Sequence, residues 1–318
     1  MESWPTDLEI LVSDDGERTA YKRAWDLSVL FVSGNQWLAY DDNLRQYEVA
    51  RPRRTGASRV TVNLLLNIYR NLLSRLSINY PSVAVVPATP DAEDSTKAKS
   101  MELLLEYHWQ QAEMKEIITN LIKNMLVMGT AALHSYYDPD KDVVKTESVS
   151  AYDLFFEKGV RSPDESSFVA IRTFHTKDAL KVAYPDKEEE IDGAEEVSPL
   201  AGPTGYAKPK NRVEVYEFYW RDGRHAIALG NTYLFKESGY PVDPFPVQVI
   251  RYTEIPTRLW GLGLIQPLVD LQWFYNKART QMMSNVELMS NPKWLIPKTA
   301  GVDNASFTDK AGEKIYYN

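Results

Sequence analysis

At Gly129 the spacing of apolar residues changes from about 3.6 to about 2. Before that point the chain reads as helices, after it as strands, and from Gly261 it returns to a helical pattern. Helices and strands that come in blocks, rather than alternating one by one, predict an α+β fold.

In the first block, Tyr21, Ala24, Trp25, Ser28, Val29 and Val32 recur at three- and four-residue spacing, which predicts a helix over 19–35 stopped near Gly34. An Arg-rich loop follows. Leu65, Ile68, Leu72, Leu73 and Leu76 predict a second helix over 62–78, ended ahead of Pro81. Val83–Val86 is short and β-branched, and reads as a strand. Thr89-Pro90-Asp91 then starts a helical pattern to about Met128, with an interruption near Gln111 and a cap at Gly129.

In the second block, 131–137 and 143–149 flank Asp138-Pro139-Asp140, the pattern of a β-hairpin. A strand over 168–174 leads to Thr176, which caps a short helix through Tyr184. Residues 186–210 are acidic first, then rich in Gly, Pro and Lys, and read as a flexible insertion or long loop. Strands resume at 213–220, 226–229 and 247–252. The last helix starts after Gly261 and Gly263, with Pro267 in its first turn. Leu268, Leu271, Tyr275, Ala278, Met282, Val286 and Met289 form one stripe as far as Asn291-Pro292. That is about 25 residues, or roughly 35 to 40 Å at ~1.5 Å per residue.

Composition removes several function classes. The chain has no cysteine, so disulfides, thiolate metal sites and cysteine nucleophiles are excluded together. No apolar run reaches the roughly 20 residues a membrane span needs, and the opening MESWPTDLEI lacks the basic start and apolar stretch of a signal peptide. Synthesis in a cytosol is expected. A net charge of -8 argues against a surface that grips nucleic acid all over. Arg51, Arg53, Arg54 and Arg59 make the densest basic patch, read as a solvated loop ahead of the next helix.

No chemical motif in the chain is complete. His108, His134, His175 and His225 have no ligand spacing, so no metal site is expected. Asp138, Asp140 and Asp142 alternate like calcium-loop ligands, but Val143 and Val149 stand where that loop needs Gly and Glu. Gly261-Leu262-Gly263 lacks the third glycine of a dinucleotide fingerprint, with Gln266 in its place. Neither a Walker-type phosphate loop nor a G-x-S-x-G elbow occurs. No catalytic residue and no cofactor is assigned. Asn304-Ala305-Ser306 matches a glycosylation acceptor by chance. Trp25, Trp37, Trp109, Trp220, Trp260, Trp273 and Trp294 are read as core and subunit-interface residues rather than a base-stacking surface.

Several stretches, taken in order, resemble the tailed-bacteriophage portal family. Val62-Asn63 through Asn67, Leu72 and Ser74 to Pro81-Ser82-Val83, then Val86-Pro87 and Asp91, is similar to the family's early wing region. Residues 149–156, Ser167-Phe168-Val169-Ala170 and Thr176–Leu180 resemble the next wing portion. Pro244-Phe245-Pro246-Val247, Trp260-Gly261-Leu262-Gly263, Leu268 to Gln272, Asn276 and Pro292 are similar to the approach to the stem helix. The likeness spans about residues 20 to 300.

The resemblance implies a portal fold: a mixed α/β wing domain over 1–260, with 186–210 as its insertion, a stem helix over 261–291, and the start of a clip over 292–318. The family's return stem helix, tunnel loop and crown have no counterpart here, which implies that a C-terminal part is missing. It also implies a non-enzymatic structural subunit, a dodecameric head-to-tail connector at one capsid vertex. The ring would serve genome packaging and DNA ejection, and would hold the tail. The partners implied are other copies of the chain, the major capsid protein, the terminase packaging motor, tail adaptor proteins and the double-stranded DNA in the channel. No membrane is involved, and the place is the virion after assembly in the host cytoplasm. Lys277, Arg279, Thr280 and Glu287 are candidate channel or stem contacts; Leu268, Leu271, Tyr275, Met282, Val286 and Met289 are candidate subunit-interface residues. Two other readings stand beside this one: another virion component, such as a head-tail adaptor or minor capsid protein, or a hydrolase built on the dispersed carboxylates Asp153, Asp178 and Asp270.

Overall fold

The computed structural model describes residues 4–13, 16–42, 46–50, 59–78, 81, 83–138, 142–197, 212–241 and 245–290. The chain divides into two units, one made of Met1–Ala50 with Asn63–Val269 and the other of Arg51–Val62 with Asp270–Asn318. The first unit is mixed α+β.

Its helical part follows the sequence period closely. After a short helix α1 (Leu8–Val12), α2 (Gly16–Val32) turns Trp25, Leu30 and Phe31 inward. It ends in a Schellman motif, in which Asn35 N donates to Leu30 O at 2.9 Å and Gly34, at φ +95°, donates to Phe31 O at 3.1 Å. A two-stranded antiparallel ribbon follows, β1 (Leu38–Asp41) with β2 (Gln46–Val49). Helix α3 runs Leu64–Leu76, two residues shorter at each end than the predicted 62–78, and contains the whole apolar stripe. Asn63 is spent on capping: its side-chain oxygen accepts from Leu66 N at 3.1 Å while its amide nitrogen donates to Val32 O at 2.9 Å.

The predicted strand at Val83–Val86 does not form. Val83 and Val86 are 48% and 83% exposed, and among the described residues no strand runs beside them to complete a ladder; β-branched residues favour a strand only where neighbours pack on it. The long helical pattern is two helices, α4 (Ala92–Gln111) and α5 (Met114–Met128). The break falls at Glu113, which is left-handed at φ +52°. It separates a mostly exposed helix, whose one buried residue is Ala98, from one that buries Met114, Leu121, Ile122, Leu126 and Met128.

The strands form two antiparallel sheets. The first has the order β10-β3-β4 and contains the predicted hairpin, β3 (Thr130–Asp138) with β4 (Val143–Ser150), and β10 (Val247–Arg251). The second has the order β5-β6-β7-β8-β9: β5 (Leu154–Phe156), β6 (Phe168–Thr176), β7 (Arg212–Trp220), β8 (Arg224–Leu229) and β9 (Thr232–Ser238). The two-residue period of a strand gives this sheet two buried faces. Leu154, Phe156, Val169, Ile171 and Tyr219 join Trp25 and Trp260 in one core, while Phe155, Phe168, Ala170, Phe218 and Trp220 pack with Leu8 on the other. Between β6 and β7, Thr176 caps α6 (Lys177–Ala183) through Ala179 N. The acidic start of the predicted insertion is then helical rather than loop, a 3-10 turn (Pro185–Lys187) and α7 (Glu188–Gly193). Ile191 explains this, since it is fully buried in a cluster with Leu180, Val213 and Val215. Residues 198–211 lie outside the described residues.

Three glycines bring main chain against main chain. A Cβ on Gly129 (φ +81°) would stand 2.4 Å from Gly261 O and from Gly263 N; one on Gly261 would stand 2.6 Å from Gly129 O. Leu264 N donates to Leu126 O and Tyr252 N to Gly129 O, both at 2.9 Å, and Gly261 N donates to Thr130 Oγ1 at 2.8 Å. The end of α5 thus finds partners for its carbonyls in the 252–264 segment.

Two buried polar groups tie elements together. The Arg18 guanidinium donates to Leu154 O (2.8 Å) and Tyr152 O (2.9 Å) and sits 3.9 Å above the Phe155 ring, joining α2 to the start of the second sheet. Between the two sheets, fully buried His134 (β3) lies 3.0 Å from Tyr219 OH and 3.3 Å from Glu147. Tyr219 OH donates to Glu217 at 2.6 Å, and the same Glu217 oxygen is 2.9 Å from His225 Nε2. The lone Tyr219 proton goes to Glu217, so His134 Nε2 is the donor to Tyr219. Burial alone would push the Glu217 carboxyl up, but the His225 bond, the nearby His134 and the Tyr219 hydroxyl together hold it below the usual carboxylate range.

Two outcomes are expected. Gly129→Ala should cost at least about 2 kcal/mol, from left-handed strain plus a backbone clash. Gly193→Ala, with nothing within 4 Å of its added Cβ, should be near neutral; thermal melts of both compare them. The depressed Glu217 carboxyl contributes stability that is complete above its unfolded value, near 4.5, and is lost as pH falls through its folded value. Glu217→Gln should therefore flatten the acid limb of a plot of unfolding midpoint against pH, while lowering stability at neutral pH.

Candidate functional site

The last described element is α8 (Val269–Ser290), preceded by a 3-10 turn at Gln266–Leu268 that holds Pro267. The helix expected after Gly263 with Pro267 in its first turn thus enters through that 3-10 turn, and its α-helical part starts at Val269. At 22 residues α8 is roughly 33 Å long at ~1.5 Å per residue.

From Asp270 onward α8 belongs to the second unit, and its amphipathicity is inverted. Leu271, Phe274, Met282, Val286 and Met289 are 66%, 60%, 59%, 58% and 81% exposed, whereas Gln272 and Asn276 are buried at 3% and 1%. On a helical wheel at ~100° per residue, the exposed apolar residues gather on one side and Gln272, Asn276 and Thr280 on another.

The polar side has a partner of its own in the segment Val60–Val62, which belongs to no helix or strand. Val62 N donates to Asn276 Oδ1 at 3.1 Å and Val60 N to Thr280 Oγ1 at 3.1 Å. Gln272 Nε2 donates to Val62 O at 2.7 Å and to Asn276 Oδ1 at 3.1 Å. The spacing explains the fit. Four residues of helix rise ~6 Å and two residues of extended chain ~6.7 Å, so every fourth side chain meets every second peptide. Buried polar side chains are tolerated when they are hydrogen-bonded in this way.

The candidate interface residues divide. Leu271, Met282, Val286 and Met289 are exposed; Tyr275 is half-buried, with its hydroxyl accepting from Arg279 Nε at 3.2 Å. Leu268 is half-buried in the turn before α8, within the first unit. Phe274 and Met283, outside the sequence stripe, are exposed too; Phe274, three residues after Leu271 and four before Ala278, shares the apolar side, whereas Met283 falls on the side of Gln272 and Asn276. The candidate channel residues do not share a face. Lys277 and Arg279 are two apart and point to different sides of the helix; Lys277 lies 4.9 Å over Trp273 and Arg279 5.5 Å over Tyr275. Thr280 is engaged by Val60, and Glu287 is exposed on the last turns.

The other motifs find structural employment. Gly261-Leu262-Gly263 lies against the end of α5. Asp138 pairs with Lys145, and Asp142, at φ +52°, accepts from Tyr137 OH at 2.5 Å; Pro139 and Asp140 lie outside the described residues. Asp153 is bound to Arg172 at 3.1 Å, Asp178 sits in the first turn of α6 and Asp270 in the first turn of α8. Of the histidines, His134 and His225 converge on Tyr219 and Glu217, a meeting that no sequence spacing announces. Among the described residues no group of three or more His, Asp or Glu is arranged to hold a metal, and no helix is long and apolar enough to cross a membrane. Trp25, Trp220 and Trp260 are core residues. Arg51, Arg53, Arg54, Pro244, Trp294, Asn304-Ala305-Ser306 and the whole of 292–318 lie outside the described residues.

No curated protein matches the chain. A family model described as Phage P22-like portal protein matches residues 15–238, from the first turn of α2 to the end of β9, about seven-tenths of the chain. That stretch holds the whole second sheet, the polar network between the sheets and most of the first unit, and it ends before β10 and α8. The family is a structural one whose members are virion components, and this chain belongs to it: it is a P22-like phage portal protein.

Proposed function

We propose that copies of this chain close into a ring, a dodecamer as the family resemblance implies, at one vertex of the capsid, with an axial channel for genome packaging and ejection and an attachment point for the tail. In this reading residues 1–260 are the wing, 261–291 the stem and 292–318 the start of the clip. Its partners are the major capsid protein, the terminase motor, tail adaptor proteins and the DNA that passes through. The family match favours this reading over an adaptor or minor capsid protein, and over a hydrolase on dispersed carboxylates.

The observation that carries the ring is the apolar face of α8. An amphipathic helix normally turns its apolar side inward, and a row of exposed Leu, Phe, Met and Val along ~27 Å is the kind of patch that subunit interfaces cover. A closed ring gives every copy the same neighbour on each side, so one such face is used by all. The net charge of -8 suits a passage that lets a polyanion slide with little adhesion.

Negative-stain electron microscopy and sedimentation of the protein should show rings with an axial hole. Met282→Asp with Val286→Asp should abolish them, leaving monomers whose thermal midpoint is unchanged within error, because both side chains are exposed within the subunit. Rings that survive both charges would overturn the assignment of this face.

A further inference from the structure

The polar side of α8 poses a separate question, since Gln272, Asn276 and Thr280 are held against a stretch of the same chain more than 200 positions earlier. We propose that Val60–Val62 is a splint for α8, and that Gln272, Asn276 and Thr280 are positioning residues for assembly: by clamping the splint's main chain they fix which side of the helix is left for a neighbouring copy. The inference rests on the reading of the apolar face as the ring contact, and it names what sets that face's direction.

The geometry is that of a clamp. Val62 is held at both its polar main-chain atoms, its N–H by Asn276 and its C=O by Gln272, and Gln272 also donates to Asn276, so the two amides lock one another's orientation. Thr280, one turn further on, takes the next available N–H, that of Val60. Three points of attachment along two helical turns oppose both rolling and sliding of the segment. The clamp also solves an energetic problem. A helix that exposed its apolar side only would turn over if it could; rolling α8 to bury Met282 and Val286 would strip the three hydrogen bonds it makes to Val60 and Val62, leaving buried and half-buried polar groups unpaired. The buried polar ladder thus holds the apolar face outward, and a polar side that cannot pair with a neighbour's apolar residues stays out of the contact.

The test removes donors without touching α8. Val60→Pro with Val62→Pro deletes both N–H groups in a segment outside any helix or strand, where proline breaks no helical turn and no ladder. Val60→Ala with Val62→Ala keeps both N–H groups and trims only side chains. For the proline pair we expect hydrogen exchange of the α8 amides to rise on the order of tenfold, as for loss of two ordinary hydrogen bonds, and rings of mixed copy number or open arcs by native mass spectrometry and electron microscopy. The alanine pair should give wild-type exchange and uniform rings. Should the proline pair fail to fold, Asn276→Ala with Thr280→Val opens the same bonds from the helix side and should give the same two changes.

Uniform rings and unchanged exchange in the proline pair would overturn the splint. So would an alanine pair as disturbed as the proline pair, since side-chain packing would then be what holds the segment. Failure of the underlying reading looks different: rings would persist in the Met282→Asp/Val286→Asp protein, whatever the proline pair does.

Discussion

The contact of Gly129 with Gly261 and Gly263 is the constraint around which the first unit is organised. It lies where helical period gives way to strand period, and it closes the end of α5 on a segment far along the chain. The carbonyls of Leu126 and Gly129, at the end of that helix, are taken by Leu264 and Tyr252. β10, which ends at Arg251 just before Tyr252, then enters the sheet beside β3 in register. Only residues without a Cβ allow this approach, so the glycines that resembled a nucleotide-binding fingerprint owe their place to packing.

The two-sided burial of the second sheet is the other foundation. β7 alternates Phe218 and Trp220 toward one core with Val213, Val215 and Tyr219 toward the other side, and Glu217 stands in the middle of that second row. A carboxylate there is affordable only because His225 and Tyr219 bond it and His134 completes the chain toward Glu147 on the neighbouring sheet. Such a network is directional where apolar contact is not, and it joins the sheets in a single relative register.

Much of this was legible in the sequence. The 3.6 period located α2, α3, α5 and α8, and the cap at Thr176 and the stop at Gly34 follow from local chemistry, whereas the cap at Asn63 shows only in the structure. The hairpin announced itself through alternation about Asp138. What escaped was decided by partners distant in sequence. Val83–Val86 has strand composition but no strand beside it; Glu188–Gly193 has loop composition but an anchoring Ile191; β5 and β9 are too short or too mixed to stand out until β6 and β8 pair with them. For α8 the apolar stripe was readable and its direction was not. Gln272, Asn276 and Thr280 are unremarkable until Val60 and Val62 are seen against them, and periodicity alone assigns the apolar side to the interior.

The clamp on Val60–Val62 reads peptide groups rather than side chains. Evolutionary drift in that stretch should accordingly be wide in size and polarity but closed to one residue at two places, since an imino acid at 60 or 62 has no hydrogen to give. Related sequences compared over these positions would show tolerance at the level of character and intolerance at the level of bonding, a pattern that ordinary hydrophobicity profiles would pass over.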